Sequence, residues 1–155
     1  MKHIYNWLKK LIGVKAFSVS EVSFSFNNVV VGKILEIEKH PNADRLQIVR
    51  VDIGSVEPSL LTSLPEGERK IRKDILIVCG APNIKVGQFV PVALVGAKLP
   101  GGMEIKEAEI RGVKSFGMLC AKDELGLSSD HSGIMILDEN AVIGMEFAKY
   151  ISLNK

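Results

Sequence analysis

Arg111-Gly112-Val113-Lys114-Ser115-Phe116-Gly117-Met118-Leu119-Cys120-Ala121 is an apolar run interrupted by a glycine and entered through a polar dipeptide. Two other stretches share that build: His40-Pro41-Asn42-Ala43-Asp44-Arg45-Leu46 and Val78-Cys79-Gly80-Ala81-Pro82-Asn83. Each joins a strand-like run to a loop of Gly, Pro, Asn or Asp, residues that accept unusual φ or bond their own backbone. Outward from these stretches the same punctuation repeats. Residues 29–39 read as a long strand in which Leu35 and Ile37 alternate with Glu36 and Glu38. Residues 46–53 are the next, with Ile48, Arg50 and Asp52 alternating against Val49, Val51 and Ile53, and Gly54 ends it. Residues 75–79 make a buried strand, and 81–86 a turn with a helical turn. Residues 89–95 make another strand, whose Pro91 argues for a sheet edge or a bulge. Pro100-Gly101-Gly102 is a turn. Residues 107–113 lead into a strand that 118–121 continue beyond a kink at Gly117. Residues 123–127 form a turn or short helix, 134–137 a last short strand, and 144–151 a helix or irregular tail. Many short strands and few helices predict a mainly β fold, a barrel of about five strands with additional strands.

At the N-terminus, Ile4, Trp7, Leu8, Leu11 and Ile12 recur at helical spacing, with Lys2, Asn6, Lys9 and Lys10 on the other side. This predicts a short amphipathic helix ended by Gly13, docked on its own domain or a partner subunit; a basic membrane-surface helix is the other reading. Residues 55–74 hold Pro58, Pro65 and the charged run Glu66-Gly67-Glu68-Arg69-Lys70-Ile71-Arg72-Lys73. They are expected to form a solvated hairpin extension rather than a contact surface, and to be the most mobile internal segment.

Composition narrows the class. A chain of 155 residues with 46% hydrophobic and 25% charged residues describes one ordinary globular domain with a real core. A formal charge of +2 is too small to argue for nucleic acid, so any electrostatic case rests on local patches. Cys79 and Cys120 lie in apolar runs and are expected to be buried and reduced. His3, His40 and His131 lie far apart and no Cys/His pairing has zinc spacing, so no metal is expected. With no signal-peptide pattern and no run long enough to cross a bilayer, the expectation is a cytoplasmic chain with no membrane partner.

The common catalytic motifs are absent: no phosphate loop, dinucleotide fingerprint, zinc-protease helix or nucleophile elbow occurs. Lys114 and Ser115 are adjacent on an extended chain and point to opposite faces, which argues against a dyad. Asp123 with Glu124, and Asp130 with His131, suit turn capping better than acid–base work. No catalytic residue and no cofactor is therefore expected. Binding chemistry fits better, because barrel grooves hold nucleic acid with cations for phosphates, amides and hydroxyls for bases, and apolar groups for stacking. Lys33, Lys39, Arg45, Arg50, Lys85, Lys98, Arg111 and Lys114 supply cations near strand ends. Asn42, Asn83 and Ser115 supply polar groups, with turn formation an equal role for Asn42. Alternation puts Phe116 and Met118 on one face and Ser115 and Gly117 on the other, so the first pair meets a base or fills the core. The candidate RNA-binding set is Asn42, Arg45, Asn83, Arg111, Lys114, Ser115 and Met118.

These stretches, together with Val29-Val30-Val31-Gly32-Lys33, Asp123-Glu124-Leu125-Gly126 and Asp130-His131-Ser132-Gly133-Ile134, resemble the N-terminal tRNA-binding domain of bacterial phenylalanyl-tRNA synthetase β subunits. The Cys-Gly-Ala-Pro-Asn and Asp-His-Ser-Gly segments favour that domain over its relatives among free-standing tRNA-binding proteins and synthetase appendages. The resemblance implies an oligonucleotide-binding (OB) barrel. It implies tRNA as partner, with the synthetase α subunit and the remaining β-subunit domains as further partners. It also implies an accessory, non-catalytic role in protein biosynthesis, because the family's aminoacylation site lies on the α subunit. The implied layout is an N-terminal helix and connector at 1–27, shortened relative to the family, a tRNA-binding OB domain at 28–151 with an insertion at 55–74, and a tail at 152–155. A domain fragment and a naturally short relative both fit that layout. A scaffold or protein-interaction domain of the synthetase, and a free-standing tRNA chaperone, are the alternative functions.

Overall fold

The alternating runs become strands that curl around two apolar clusters. A computed structural model describes residues 26–54 and 74–154. The expected N-terminal helix and nearly all of the expected extension lie outside the described residues; Asp74, its last residue, opens a strand. Seven strands follow in order: β1 (Asn27–Lys39), β2 (Gln47–Asp52), β3 (Asp74–Cys79), β4 (Phe89–Lys98), β5 (Ala108–Ile110), β6 (Val113–Ser115) and β7 (Gly117–Leu119). One helix, α1 (Phe147–Leu153), comes after them. The main sheet is antiparallel, in the order β3-β2-β1-β4-β7, and β5 pairs with β6 in a separate hairpin. The fold is mainly β, a curled five-stranded half-barrel with a short C-terminal helix.

β1 organises the sheet because its two halves serve different partners. Asn27 to Lys33 pair with β4, and Lys33 to Lys39 pair with β2. The register slips between Ile34 and Glu36, leaving Leu35 as an extra residue, and such a bulge bends a strand and raises its twist. Leu35 is 42% exposed, while Ile34 is buried and Ile37 packs against the core. Simple alternation had grouped Leu35 with Ile37; the bulge resets the period and turns Leu35 outward.

The curl brings the ends of the sheet together. The Phe116 amide donates to the Leu76 carbonyl at 2.9 Å, and the Val78 amide donates to Ser115 Oγ at 3.0 Å. These bonds bridge β3 to the β6–β7 segment across the open side of the half-barrel. The kink expected at Gly117 is a close approach: a Cβ there would stand 2.6 Å from the Ala93 carbonyl oxygen of β4.

The first cluster fills the half-barrel with Ile34, Val49, Val51, Ile77, Val90 and Val92 among others. The second lies on the opposite face of the β1–β4 pair, where Val29, Val31 and Ala93 meet Cys120, Leu125, Phe147 and Tyr150. Covered on both faces, β1 and β4 carry unbroken apolar runs where β2 and β3 alternate. Phe147 stands edge-on to Phe26 at 5.0 Å, and the Tyr150 hydroxyl donates to Asp138 Oδ2 at 3.1 Å, so α1 seals this cluster. Cys79 and Cys120 are free thiols, both buried. Burial pushes the Cys79 thiol up to about 11, and Cys120 is also raised, chiefly by burial.

Three sequence expectations are corrected. Pro91 is neither at an edge nor at a bulge; it sits inside β4 between β1 and β7. Its missing N–H is not needed there. Val31, opposite it, turns its N–H and C=O the other way, to Met145 and Gly144, and the Cys120 carbonyl on the β7 side takes the Met135 amide at 3.0 Å instead. Residues 134–137 form only a single bridge, Leu137 to Phe89, rather than a strand. Residues 107–113 do not simply lead into a strand: Arg111-Gly112 folds them into the turn side of the β5–β6 hairpin.

Candidate nucleic-acid interface

Three loops converge through strand register. Lys39 pairs with Gln47 and Gln47 with Cys79, so the β1–β2 turn and the loop after β3 leave the same end of the sheet. The β5–β6 hairpin is fastened to that end from outside. Its two turn residues, Arg111 with φ 49° and Gly112 with φ 87°, both have positive φ, as a tight two-residue hairpin turn requires.

The fastening is a clasp of three crossing bonds, braced by a fourth within the turn. Asn42 Nδ2 donates to the Arg111 carbonyl at 3.0 Å, and Arg111 Nη1 donates back to the Asn42 carbonyl at 3.3 Å. The Asn42 amide donates to His40 Nδ1 at 3.0 Å, and His40 Nε2 lies 2.9 Å from the Ile110 carbonyl. An Nδ1 that accepts a hydrogen bond is bare, so Nε2 carries the proton and donates; this fixes the neutral Nε2–H tautomer. His40 is 5% exposed and its own amide closes the turn on Leu46.

The candidate residues divide by what holds them. Arg45, on the β1–β2 turn, is exposed and makes no side-chain hydrogen bond or ion pair among the described residues. Arg111 commits one guanidinium nitrogen to the clasp and is otherwise exposed. Lys114 is exposed and pairs with Glu107 at 3.3 Å. Asn42 is part of the clasp. Ser115 is buried, with its hydroxyl accepting from Val78 and donating to the Gly117 carbonyl at 3.2 Å, so it holds the barrel seam. Asn83 grips the backbone of Ile134 twice, donating from Nδ2 at 2.9 Å and accepting at Oδ1 at 3.0 Å. Met118 is half-buried against the second cluster. The structure thus brings Asn42, Arg45 and Arg111 to one loop end and ties Asn83, Ser115 and Met118 into packing. His40 was missing from the candidate set. Its signal was a histidine closing a strand of alternating pattern just before a Pro-Asn turn, where a buried imidazole must find two partners.

Arg50 and Lys33 are engaged elsewhere. On the outer face of the sheet Arg50 lies 3.6 Å from both Glu36 and Asp74, and Glu38 is exposed beside them. That face is net acidic. Lys33 Nζ stands over the Phe89 ring, 5.4 Å from its centroid. Arg45 and Arg111 lie at the clasped end, whereas Lys98, opposite Asn27, lies at the far end of β1 and Lys149 on α1. Among the described residues no three His, Cys, Asp or Glu side chains are grouped to hold a metal ion, and no helix is long and apolar enough to cross a membrane.

The profile of a family described as "Putative tRNA binding domain" matches residues 29–146. The chain belongs to this tRNA-binding family. The match runs from the third residue of β1 to the residue before α1, and so takes in all three loops of the clasped end. The phenylalanine–tRNA ligase β subunit of Aromatoleum aromaticum is 44% identical over 147 residues, 95% of this chain and 16% of its own length. That of Chlorobaculum tepidum is 42% identical over 172 residues, covering 97% of this chain and 19% of its own. The chain therefore spans less than a fifth of the length of these relatives. An RNA ligase of Naegleria gruberi shares the fold alone, with a TM-score of 0.51 at 12% identity over 81% of this chain and 34% of its own.

Proposed function

We propose that the chain binds tRNA through the clasped loop end of the half-barrel, as the tRNA-facing module of a phenylalanine–tRNA ligase. The observation that carries this is the His40–Asn42–Arg111 clasp. It holds two turns 69 residues apart in sequence side by side, and each turn presents an exposed arginine. Forked guanidinium groups on pre-set turns suit phosphate oxygens. Family membership supplies the ligand class, and the acidic outer face directs RNA away from the middle of the sheet. The residues that contact RNA are Arg45, Arg111 and Lys114, with Asn42 holding Arg111; Asn83, Ser115 and Met118 support them from within the fold. The module carries no chemistry itself. Aminoacylation belongs to the rest of the ligase, with the α subunit and the other β-subunit domains as partners and the cytoplasm as the compartment.

The test is a filter-binding titration of tRNA against salt. Retention at low ionic strength, with log affinity falling linearly as log salt rises, is expected from released counterions. No retention at low ionic strength overturns the reading and leaves a scaffold domain. Loss of binding on replacing Lys9 and Lys10, with Arg45→Ala and Lys114→Ala neutral, overturns the assignment to the loop end.

A further inference from the structure

We propose that His40 is a positioning residue for RNA binding: its Nε2–H bond to the Ile110 carbonyl sets the spacing between the Arg45 turn and the Arg111 hairpin. This rests on the reading that these turns face RNA. His40 and Ser115 are the buried polar side chains among the described residues, and His40 spans 70 positions of sequence with one ring. Both ring nitrogens are engaged by backbone, and the residue is 5% exposed, so the imidazole is not available to a phosphate. Its two bonds do different work. Nδ1 shapes the turn locally by accepting from Asn42, whereas Nε2 alone crosses to the hairpin. The arginine–asparagine bonds beside it are exposed, where a hydrogen bond competes with water; the imidazole bond is sheltered and holds its geometry better. The charged groups on the two joined elements are Lys39, Asp44 and Arg45 on the turn and Glu109, Arg111 and Lys114 on the hairpin. None of them hydrogen-bonds to the imidazole.

Two substitutions separate the two bonds. The Asn side-chain oxygen reaches as far from Cα as Nδ1, and the Gln side-chain nitrogen as far as Nε2. His40→Asn therefore keeps the local bond and loses the crossing one, and His40→Gln does the reverse. Both lose the ring, and Asn is the smaller by one methylene, so the difference between them is read against the Arg45→Ala background, where a merely structural loss would persist. With the full 155-residue chain and tRNA at fixed low salt, His40→Gln is expected to stay within about twofold of the parent. His40→Asn is expected to weaken binding about five- to tenfold, on the order of one hydrogen bond. In an Arg45→Ala background the His40→Asn loss should shrink toward nothing, because a residue that acts by setting the spacing between Arg45 and Arg111 has no pair left to space. Equal binding by the two variants, or losses that add to that of Arg45→Ala, overturns the proposal while the function stands. A parent chain that does not bind tRNA overturns the function and this inference with it, before any variant is made. A long-range proton–nitrogen spectrum of the parent needs no substitution at all. It should show Nε2 protonated and Nδ1 bare, and the other tautomer or a doubly protonated ring overturns the proposal.

Discussion

Arg45 and Arg111 sit on adjoining turns but are held differently: Arg45 extends from an ordered turn with no side-chain partner among the described residues, and Arg111 is half committed to Asn42. Arg45→Ala should therefore remove an RNA contact and little else. The expected result is weaker tRNA binding, a salt slope shallower by about one, and an unchanged thermal midpoint. Lys114→Ala should also weaken binding, but less, because Glu107 already neutralises part of its charge at the surface. The same titration series measures both. A second expectation concerns Asp130, whose carboxylate accepts from the Ser132 hydroxyl at 2.7 Å and the Ser132 amide at 3.0 Å. Those bonds favour the ionised form and hold its pKa below the ordinary 3.8. The folded value is the lower one, so the bonds add stability above the unfolded value and lose it as pH falls through the folded value. The Ser132 amide shift, followed by NMR down from pH 6, should move at a midpoint below 3.8, and Ser132→Ala should raise that midpoint.

At the scale of elements, the seam between β3 and the β6–β7 segment depends on few bonds. Ser115→Ala leaves the Val78 amide without its acceptor, and an unmet buried donor costs about 1–3 kcal/mol. Urea denaturation should show a fall of that size, with the loss of tRNA affinity secondary to it. Strand existence was legible because β2 and β3 bury every second residue, a period that apolar patterning records directly. The bulge at Leu35 was not legible, since the sequence contains no glycine or proline there; the slip follows from β1 having to leave one partner and meet another. Pro91 misled for a related reason. A proline is excluded from a central strand only where its N–H is required, and that requirement is set by Val31, Cys120 and Met135, which lie far away in sequence. Of the candidate site, the loops and the cations Arg45 and Arg111 were legible from turn chemistry and charge. The inward turn of Ser115 and the double grip of Asn83 were not, because a short polar side chain in a loop reads the same whether it faces solvent or backbone.

For the whole molecule, the second cluster makes α1 a structural part rather than an appendage. Phe147 is fully buried against Phe26 and Tyr150. Phe147→Ala should cost about 3–5 kcal/mol in urea denaturation, and the opened face should then bind a hydrophobic dye that the parent does not. The helix itself was read only as a helix or an irregular tail, since seven residues are too few for periodicity to decide. The division of β1 between two partners has a consequence for synthesis on the ribosome. Its second half can pair with β2 as soon as that strand emerges, a few residues later. Its first half, Asn27 to Lys33 with Val29, Val30 and Val31, must wait for β4, about sixty residues further on. At about 5–20 residues per second that edge stays open for about 3–12 seconds. A valine-rich edge left open that long is a template for pairing with a neighbouring nascent chain until β4 arrives to cover it.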